Sequence, residues 1–214
     1  METIIVIFSL LVLLVSVAIH ELAHGYVAYS LGDFTAKYAG RLTLNPLKHL
    51  DFFGSILLPI FLLIATGGQG PIFGWAKPVP INPYNFKDQK WGTVKVAVAG
   101  PSANFAIAII FGLLIRFIYS FHIFALSPLI YLLSIVVIYN FLWGIFNLLP
   151  IPPLDGSWLL FKFLPFRLKG VESFFQEYGI FILILFVFFG GLNLLGFFSE
   201  LLYYWITGVG SGFF

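Results

Sequence analysis

The amino-acid sequence predicts an all-α polytopic membrane protein with four to six transmembrane helices and a re-entrant or extended element. Of its 214 residues, 60% are hydrophobic and only 9% are charged, whereas soluble domains carry roughly 25% charged residues. Several apolar runs reach the roughly 20 residues that a helix needs to cross a bilayer. We therefore expect a single domain over residues 1–214, surrounded by the lipid bilayer.

The overall charge and the cysteine content exclude other classes of protein. A net charge of +2 is too small to indicate nucleic-acid binding. The chain has no cysteine, which excludes disulfides and thiolate metal sites.

Four apolar segments are long enough to span a membrane, and they run over residues 4–31, 93–119, 128–149 and 178–206. We expect the core of the domain over residues 4–160, followed by the C-terminal helix at 178–206. A fifth stretch, residues 52–66, would extend only about 22 Å as a helix and contains Gly54 and Pro59. A short tilted span and a re-entrant element both fit this length, and we favour the re-entrant element.

The placement of basic residues predicts the orientation in the membrane. If residues 52–66 return to the side from which they entered, every lysine and arginine except Arg116 falls on one side. The positive-inside rule makes that side cytoplasmic. The N-terminus is then outside, and the chain is a multi-pass protein of the cell (inner) membrane.

A glycine- and proline-rich stretch at residues 67–92 cannot form a helix, because its prolines interrupt the backbone hydrogen bonds. Alternation from Phe73 to Val79 predicts a short extended edge, with "GRLTL" at residues 40–44 as its pairing partner. Such an edge could hold an extended peptide by strand addition. The alternative is a membrane-interface loop anchored by Trp75.

The stretch "IHELAHGY" at residues 19–26 places titratable groups within the first membrane helix. His20 and His24 are four residues apart, so both imidazoles lie on one helix face and can reach one ion. With Glu21 they form the pattern in which two histidines bind zinc and the glutamate handles protons. Chance histidines are the alternative, but charged groups at membrane depth are costly and mostly functional.

A catalytic zinc site needs a third protein ligand and an open position. The best remaining carboxylate is Asp155, within "NLLPIPPLDGS". Pro150, Pro152 and Pro153 cannot continue a helix, so we expect unwound backbone there, which is tolerated at membrane depth where it lines a cavity. The alternative role for Asp155 is to cap a short helix, "GSWLLFKFL".

At this point the sequence resembles the site-2 protease family of intramembrane zinc metalloproteases. The resemblance rests on "HELAH" in the first membrane helix, "GPSAN" at Gly100–Asn104, and "N-x-x-P-x-P-x-L-D-G" at Asn147–Gly156. It covers roughly residues 10–160. The stretches "GRLTLNPLKHLDFFG" and "FGWAKPVPINP" look like the compact prokaryotic branch, which lacks an inserted PDZ domain.

The resemblance implies one Zn²⁺ per chain, with His20, His24 and Asp155 as ligands and Glu21 as the catalytic glutamate. It also implies substrates that are transmembrane or membrane-associated peptides, cut in regulated intramembrane proteolysis. His24 lies about seven residues before the predicted helix end, or roughly 10 Å. We therefore expect the active site nearer the cytoplasmic side.

Other polar residues near these motifs have weaker interpretations. Asn147 is a candidate donor to the oxyanion, with an interhelical hydrogen bond as the alternative. Asn140 is interpreted as structural, and Asn104 as either a capping or packing residue or an active-site residue. His49 and Asp51 are interpreted as parts of a solvated loop, with holding that loop or binding a second metal as the alternatives.

Two other functions are alternatives to a protease. A metal transporter would string several polar sites through the bilayer, whereas this sequence has one cluster. A proteolytically inactive scaffold is the second alternative, and the intact Glu21 argues against it.

Overall fold

The computed structural model describes residues 2–57, 60–61, 64, 76–123 and 126–211. Within these ranges it is an all-α structure without β-strands, as predicted. Its α-helices are α1 (Glu2–Ser30), α2 (Thr35–Tyr38), α3 (Gly92–Ser120), α4 (Ser127–Asn147), α5 (Gly156–Phe163), α6 (Lys169–Phe188) and α7 (Gly191–Thr207). Short 3₁₀ turns lie at Pro46–His49, Pro83–Asn85 and Phe166–Leu168, and a π-helical turn lies at Phe52–Leu57.

Four of the described helices are long and apolar enough to cross a membrane: Thr3–Ser30, Gly92–Ser120, Ser127–Asn147 and Phe166–Phe188. This confirms the polytopic fold and the first three predicted spans.

The predicted fourth span at residues 178–206 is wrong, because the chain breaks between α6 and α7. Gly190 adopts φ +86°, a left-handed conformation that glycine accepts without steric cost. Hydropathy continues through this break, so the run of apolar residues concealed it.

The helices pack around two shared surfaces. Where α3, α4 and α7 meet, the buried side chains include Ile115, Val137, Phe141 and Tyr203. Helix α1 also packs against α3 and α4. Ala28 of α1 is buried together with Val96 of α3 in a second apolar cluster, and the polar side chains of the candidate site lie where α1, α3 and α4 meet.

Helix α6 is much less covered than the other spans. Only 6% of its apolar window is buried, against 44% for α4. Its buried residue is Gly179, where a Cβ would stand 2.5 Å from the Pro152 carbonyl oxygen. Helix α6 therefore touches the proline-rich segment that precedes Asp155 at a position that only glycine fits.

The extended segment after the glycine-rich stretch pairs with a different partner from the one expected. Ala76 and Leu50 form an antiparallel bridge, and the Lys77 N–H donates to the His49 carbonyl at 2.8 Å. The described part of the edge therefore pairs with residues 49–50 and not with the predicted residues 40–44. Residues 40–44 contact the extended segment through a side chain: the Arg41 guanidinium donates to the Lys77 carbonyl at 2.6 Å.

Part of this region lies outside the residues that the structure describes. Phe73 and Trp75, on which the predicted edge partly rests, lie outside the described residues. Several residues of the predicted re-entrant element at 52–66 also lie outside them, and within that element Phe52–Leu57 forms the π-helical turn.

Asp33 ties the end of α1 to the segment that follows Val79. The side chain is fully buried; it accepts hydrogen bonds from Thr35, from the Asn82 N–H at 2.7 Å and from the Asn85 amide at 2.8 Å. Burial alone would raise the pKa of Asp33, but these hydrogen bonds outweigh burial and lower the pKa below its ordinary value. Asp33 is therefore an anion that holds the loop in place.

His49 is buried rather than solvated, contrary to the expectation for this loop. Its Nε2 lies 2.9 Å from the Thr43 carbonyl oxygen. Asp51 accepts a hydrogen bond of 2.7 Å from the Gly54 N–H. Both side chains hold the loop's own backbone.

Candidate metal centre

Helix α1 brings two imidazoles to one point inside the bundle. His20 and His24 are one helical turn apart and are 3% and 6% exposed. Their Nε2 atoms lie 3.0 Å from each other. The helix thus presents both nitrogens on the face that α3 and α4 cover.

Asp155 reaches the same point from the segment that follows α4. Its Oδ2 lies 3.0 Å from His20 Nε2 and 3.1 Å from His24 Nε2. Asp155 precedes α5, but its side chain makes no capping hydrogen bond, so the structure does not support the capping alternative. A Cβ at Gly156 would collide with the Leu148 carbonyl, and glycine therefore permits the tight turn that carries Asp155 inward.

The hydrogen-bond partners of the two outer nitrogens, the Nδ1 atoms, show which nitrogen of each imidazole carries the hydrogen. His24 Nδ1 lies 2.7 Å from the Val96 carbonyl oxygen, and His20 Nδ1 lies 2.7 Å from Asn104 Oδ1. Both partners are hydrogen-bond acceptors, so each Nδ1 is the donor and carries the hydrogen. In the neutral imidazole each Nε2 then holds a lone pair directed at the common point.

Three acceptor atoms therefore face one another without a hydrogen between them. Asp155 Oδ2 is buried and has no hydrogen-bond donor, and the ligand atoms of His20, His24 and Asp155 all lie within 4.8 Å of one another. Ligands at 2.0–2.2 Å from one tetrahedral ion stand roughly 3.3–3.6 Å apart, close to the observed separations. These residues fit a divalent cation with nitrogen and oxygen ligands.

Glu21 lies beside this group, next to His20 in the sequence. Its Oε2 accepts a hydrogen bond of 2.8 Å from the Val79 N–H. A cavity of about 360 Å³ is lined by the three potential ligands together with Glu21 and Val79. The carboxylate of Glu21 thus faces the space in which a substrate and a water molecule would meet the cation.

Asn147 also lines this cavity. Its amide Nδ2 donates to the Trp143 carbonyl at 3.0 Å, which uses one of two amide hydrogens. The second hydrogen remains for a ligand, so its role as an oxyanion donor stays a prediction.

Two features of the site were not recognised in the sequence. The Val96 carbonyl that holds His24 belongs to the backbone and leaves no signal in residue type. Gly100 lies against both imidazoles, where a Cβ would stand 2.5 Å from His24 Nε2 and 2.6 Å from His20 Nε2. Gly100 belongs to the motif "GPSAN", but residue type alone does not show that it packs against the two imidazoles.

Comparison with known proteins supports the family that the sequence motifs resemble. The profile of peptidase family M50 matches residues 118–190. YwhC of Bacillus subtilis (strain 168), provisionally named a zinc metalloprotease, is 41% identical over 185 residues, which is 84% of this chain and 80% of that protein. Rip2 of Mycolicibacterium smegmatis, named in the same way, is 31% identical over 207 residues, or 92% of this chain and 73% of that protein. No solved structure matches the chain significantly.

The match to YwhC extends over most of both chains, and the fold brings together the residues that the sequence motifs supply. The chain therefore belongs to peptidase family M50, the site-2 protease family of intramembrane zinc metalloproteases.

Proposed function

We propose that this chain is an intramembrane zinc endopeptidase that hydrolyses peptide bonds in or near transmembrane segments of other membrane proteins. The observation that carries the proposal is the convergence of two imidazole lone pairs and one carboxylate beside Glu21 in a single cavity. The family and its zinc-metalloprotease relatives support the reaction. The apolar helices that surround the cavity support a substrate within the membrane.

His20, His24 and Asp155 would hold the zinc ion, which leaves a fourth position open toward the cavity. When bound, zinc polarises the scissile carbonyl and lowers the pKa of water toward 7. Because the lone pairs and the carboxylate are already directed at one point, these residues need little rearrangement to bind the ion.

Glu21 acts as the general base and then as the general acid. One of its carboxylate oxygens takes the proton from the attacking water and delivers it to the leaving nitrogen. The Val79 N–H holds Oε2, so Oε1 is the oxygen free to take the proton. Asn147 uses its second amide hydrogen to stabilise the oxyanion.

The segment from Pro78 to Ile81 lies along the cavity and suits an extended substrate. The Val79 carbonyl and the Ile81 N–H have no hydrogen-bond partner within the described part of the chain. These groups can pair with the backbone of a peptide that has left its own helical hydrogen bonds. Pro78 and Pro80 offer no N–H groups, so pairing is favoured on the edge that carries Val79.

The membrane orientation follows from the basic residues, which put the end of α1 on the cytoplasmic side of the cell membrane. His24 lies six residues before Ser30, where α1 ends, so the centre is roughly 9 Å from that side. Cleavage near the cytoplasmic end of a substrate's span is the expected result, as in regulated intramembrane proteolysis.

The proposal is tested by replacing Glu21 with Gln in the full chain. Membrane peptides from cells with the native protein are compared by mass spectrometry with those from cells carrying the variant, and zinc is measured in both purified proteins. We expect the variant to keep its zinc and to leave substrates uncut. Glu177→Gln, the same charge change at an exposed site on α6, is the matched control. Unaltered peptide profiles with Glu21→Gln would exclude the protease.

A further inference from the structure

We propose that Asn104 and Asn140 are positioning residues that hold His20 in its metal-binding tautomer through a directed chain of hydrogen bonds. The inference rests on the proposed function, because it concerns the same metal centre. It assigns a task to two buried asparagines on helices other than the one that carries the histidines.

The chain of hydrogen bonds links α1, α3 and α4. Asn140 Nδ2 of α4 donates to the Val136 carbonyl at 2.8 Å, and Asn104 Nδ2 of α3 donates to Asn140 Oδ1 at 2.9 Å. Asn104 Nδ2 also lies 3.3 Å from the Ser16 carbonyl oxygen. Asn104 Oδ1 then faces His20 Nδ1 at 2.7 Å.

The direction of this chain is fixed at its outer end. A backbone carbonyl can only accept, so the Val136 carbonyl requires the amide nitrogen of Asn140 and turns Oδ1 of Asn140 toward Asn104. Asn104 must then present its nitrogen to Asn140 and its oxygen to His20. Turning the Asn104 amide around would set oxygen against oxygen at Asn140 and at the Ser16 carbonyl.

The consequence for His20 is that Nδ1 must donate and Nε2 must keep its lone pair. In the other tautomer the Nδ1 lone pair would face Asn104 Oδ1 at 2.7 Å, and the two acceptors would repel each other. Asn104 is fully buried and Asn140 is 1% exposed. Hydrogen bonds to the outer nitrogen of a ligating histidine fix its tautomer and ring orientation.

His24 provides an internal contrast. Its Nδ1 donates to the Val96 carbonyl, a backbone group that no side-chain substitution removes. The tautomer of His24 is thus held by α3 itself, whereas that of His20 depends on two side chains. Substitutions at Asn104 and Asn140 should therefore affect the metal through His20.

The experiment measures zinc affinity of the full chain in detergent, by competition with a zinc chelator of known affinity. We expect Asn104→Leu to weaken zinc binding about 10- to 100-fold, as loss of such a partner does in other metal sites. Asn140→Leu should weaken it less, because Asn104 keeps its contact with the Ser16 carbonyl. In the double variant the two effects should not add, because they act on one chain of hydrogen bonds.

A second comparison separates tautomer control from simple packing. Asn104→Asp keeps an acceptor facing His20, so we expect it to retain zinc better than Asn104→Leu. A packing role would give the opposite order, because an uncharged leucine suits the apolar bundle better than a carboxylate. Nitrogen-15 chemical shifts of the His20 ring report the tautomer directly, and they should show protonated Nδ1 in the native chain and mixed tautomers in Asn104→Leu.

Ser134→Ala is the matched control. Ser134 is also buried on α4, but it contacts the Tyr203 hydroxyl at 2.7 Å and the Ile130 carbonyl at 2.8 Å. Its removal should lower thermal stability and leave zinc affinity unchanged. The same thermal unfolding measurement identifies a variant that has not folded. If Asn104→Leu does not fold, the zinc affinity of Asn140→Leu tests the inference.

The outcomes distinguish this inference from the proposed function. If His20→Ala loses zinc while Asn104→Leu and Asn140→Leu bind it as tightly as the native chain, the inference is wrong and the metal centre stands. If His20→Ala binds zinc with native affinity, the proposed centre itself is wrong. Equal losses in Asn104→Asp and Asn104→Leu would also overturn tautomer control.

Discussion

Gly100 of α3 lies directly against the imidazole of His20, so closely that a Cβ would stand 2.6 Å from Nε2. The same Cβ would stand 2.5 Å from His24 Nε2. A Cβ essentially never stands this close to a non-bonded atom, so the side chains would have to move. The absence of a side chain at this position is what lets α3 close over the metal centre.

Gly100→Ala should therefore weaken zinc binding by roughly tenfold or more, because overpacking of this kind costs about 1–3 kcal/mol. The measurement is zinc affinity by chelator competition. Gly112→Ala is the control on the same helix; its Cβ would meet the Ile206 side chain, so it should lower stability without affecting zinc. Native zinc affinity in Gly100→Ala would contradict the geometry of the site.

Removal of the metal should destabilise the whole chain. A bound cation would attract His20 Nε2, His24 Nε2 and Asp155 Oδ2, which lie about 3 Å from one another. A ligand at 100 times its Kd stabilises a protein by about 2.7 kcal/mol, so chelation should lower the unfolding temperature by several degrees and zinc should restore it. Asp155→Ala should unfold at a temperature that zinc does not change; a response equal to that of the native chain would exclude Asp155 as a ligand.

The ionised Asp33 should make stability depend on pH in the acid range. Its pKa is lowered in the folded chain, so its contribution is fully present above the ordinary pKa near 4 and is lost as pH falls through the lower folded value. Asp33→Asn should destabilise the chain by about 1–3 kcal/mol, since buried donors lose an acceptor. Below about pH 4 the difference should shrink. Unfolding temperatures of both proteins across pH 2–7 test this, and a difference that does not change with pH would contradict it.

Replacement of Val79 by Pro should slow cleavage while leaving zinc content intact. The substitution removes the N–H that binds Glu21 and also places a proline ring on the edge where the substrate would pair, so two effects combine. Ile81→Pro separates them, because the Ile81 N–H has no partner in the part of the chain that the structure describes. Slow turnover in both variants supports strand addition. Slow turnover in Val79→Pro alone assigns the effect to Glu21, and native turnover in both removes the edge from the mechanism.

The proposed metal ligands could be selected from the sequence because their chemistry is conspicuous in an apolar chain. His20 and His24 stand four apart in a run of aliphatic residues, where an unpaired polar group would be costly. Asp155 follows prolines that prevent a helix, so it had to sit on irregular backbone. Each of these arguments uses residue type and local spacing, which a sequence contains.

Other features depend on contacts that residue types do not specify. The Val79 N–H on Glu21 is a backbone donor, and every residue except proline has one. Asn104 could equally have capped α3 or packed in the bundle, and only the approach of α1 and α4 decides between these roles. At Gly190 the chain breaks inside a continuous apolar run, where hydropathy is the same for one long helix or two.

The separation in sequence between His20 and Asp155 has a consequence for how the protein is made. The first imidazoles emerge from the ribosome early, but the carboxylate that completes their triangle is synthesised only after α3 and α4. Until those helices have inserted and docked, the nascent chain offers zinc two nitrogens and no third ligand. We therefore expect a polypeptide that ends before Asp155 to bind zinc more weakly than the full chain.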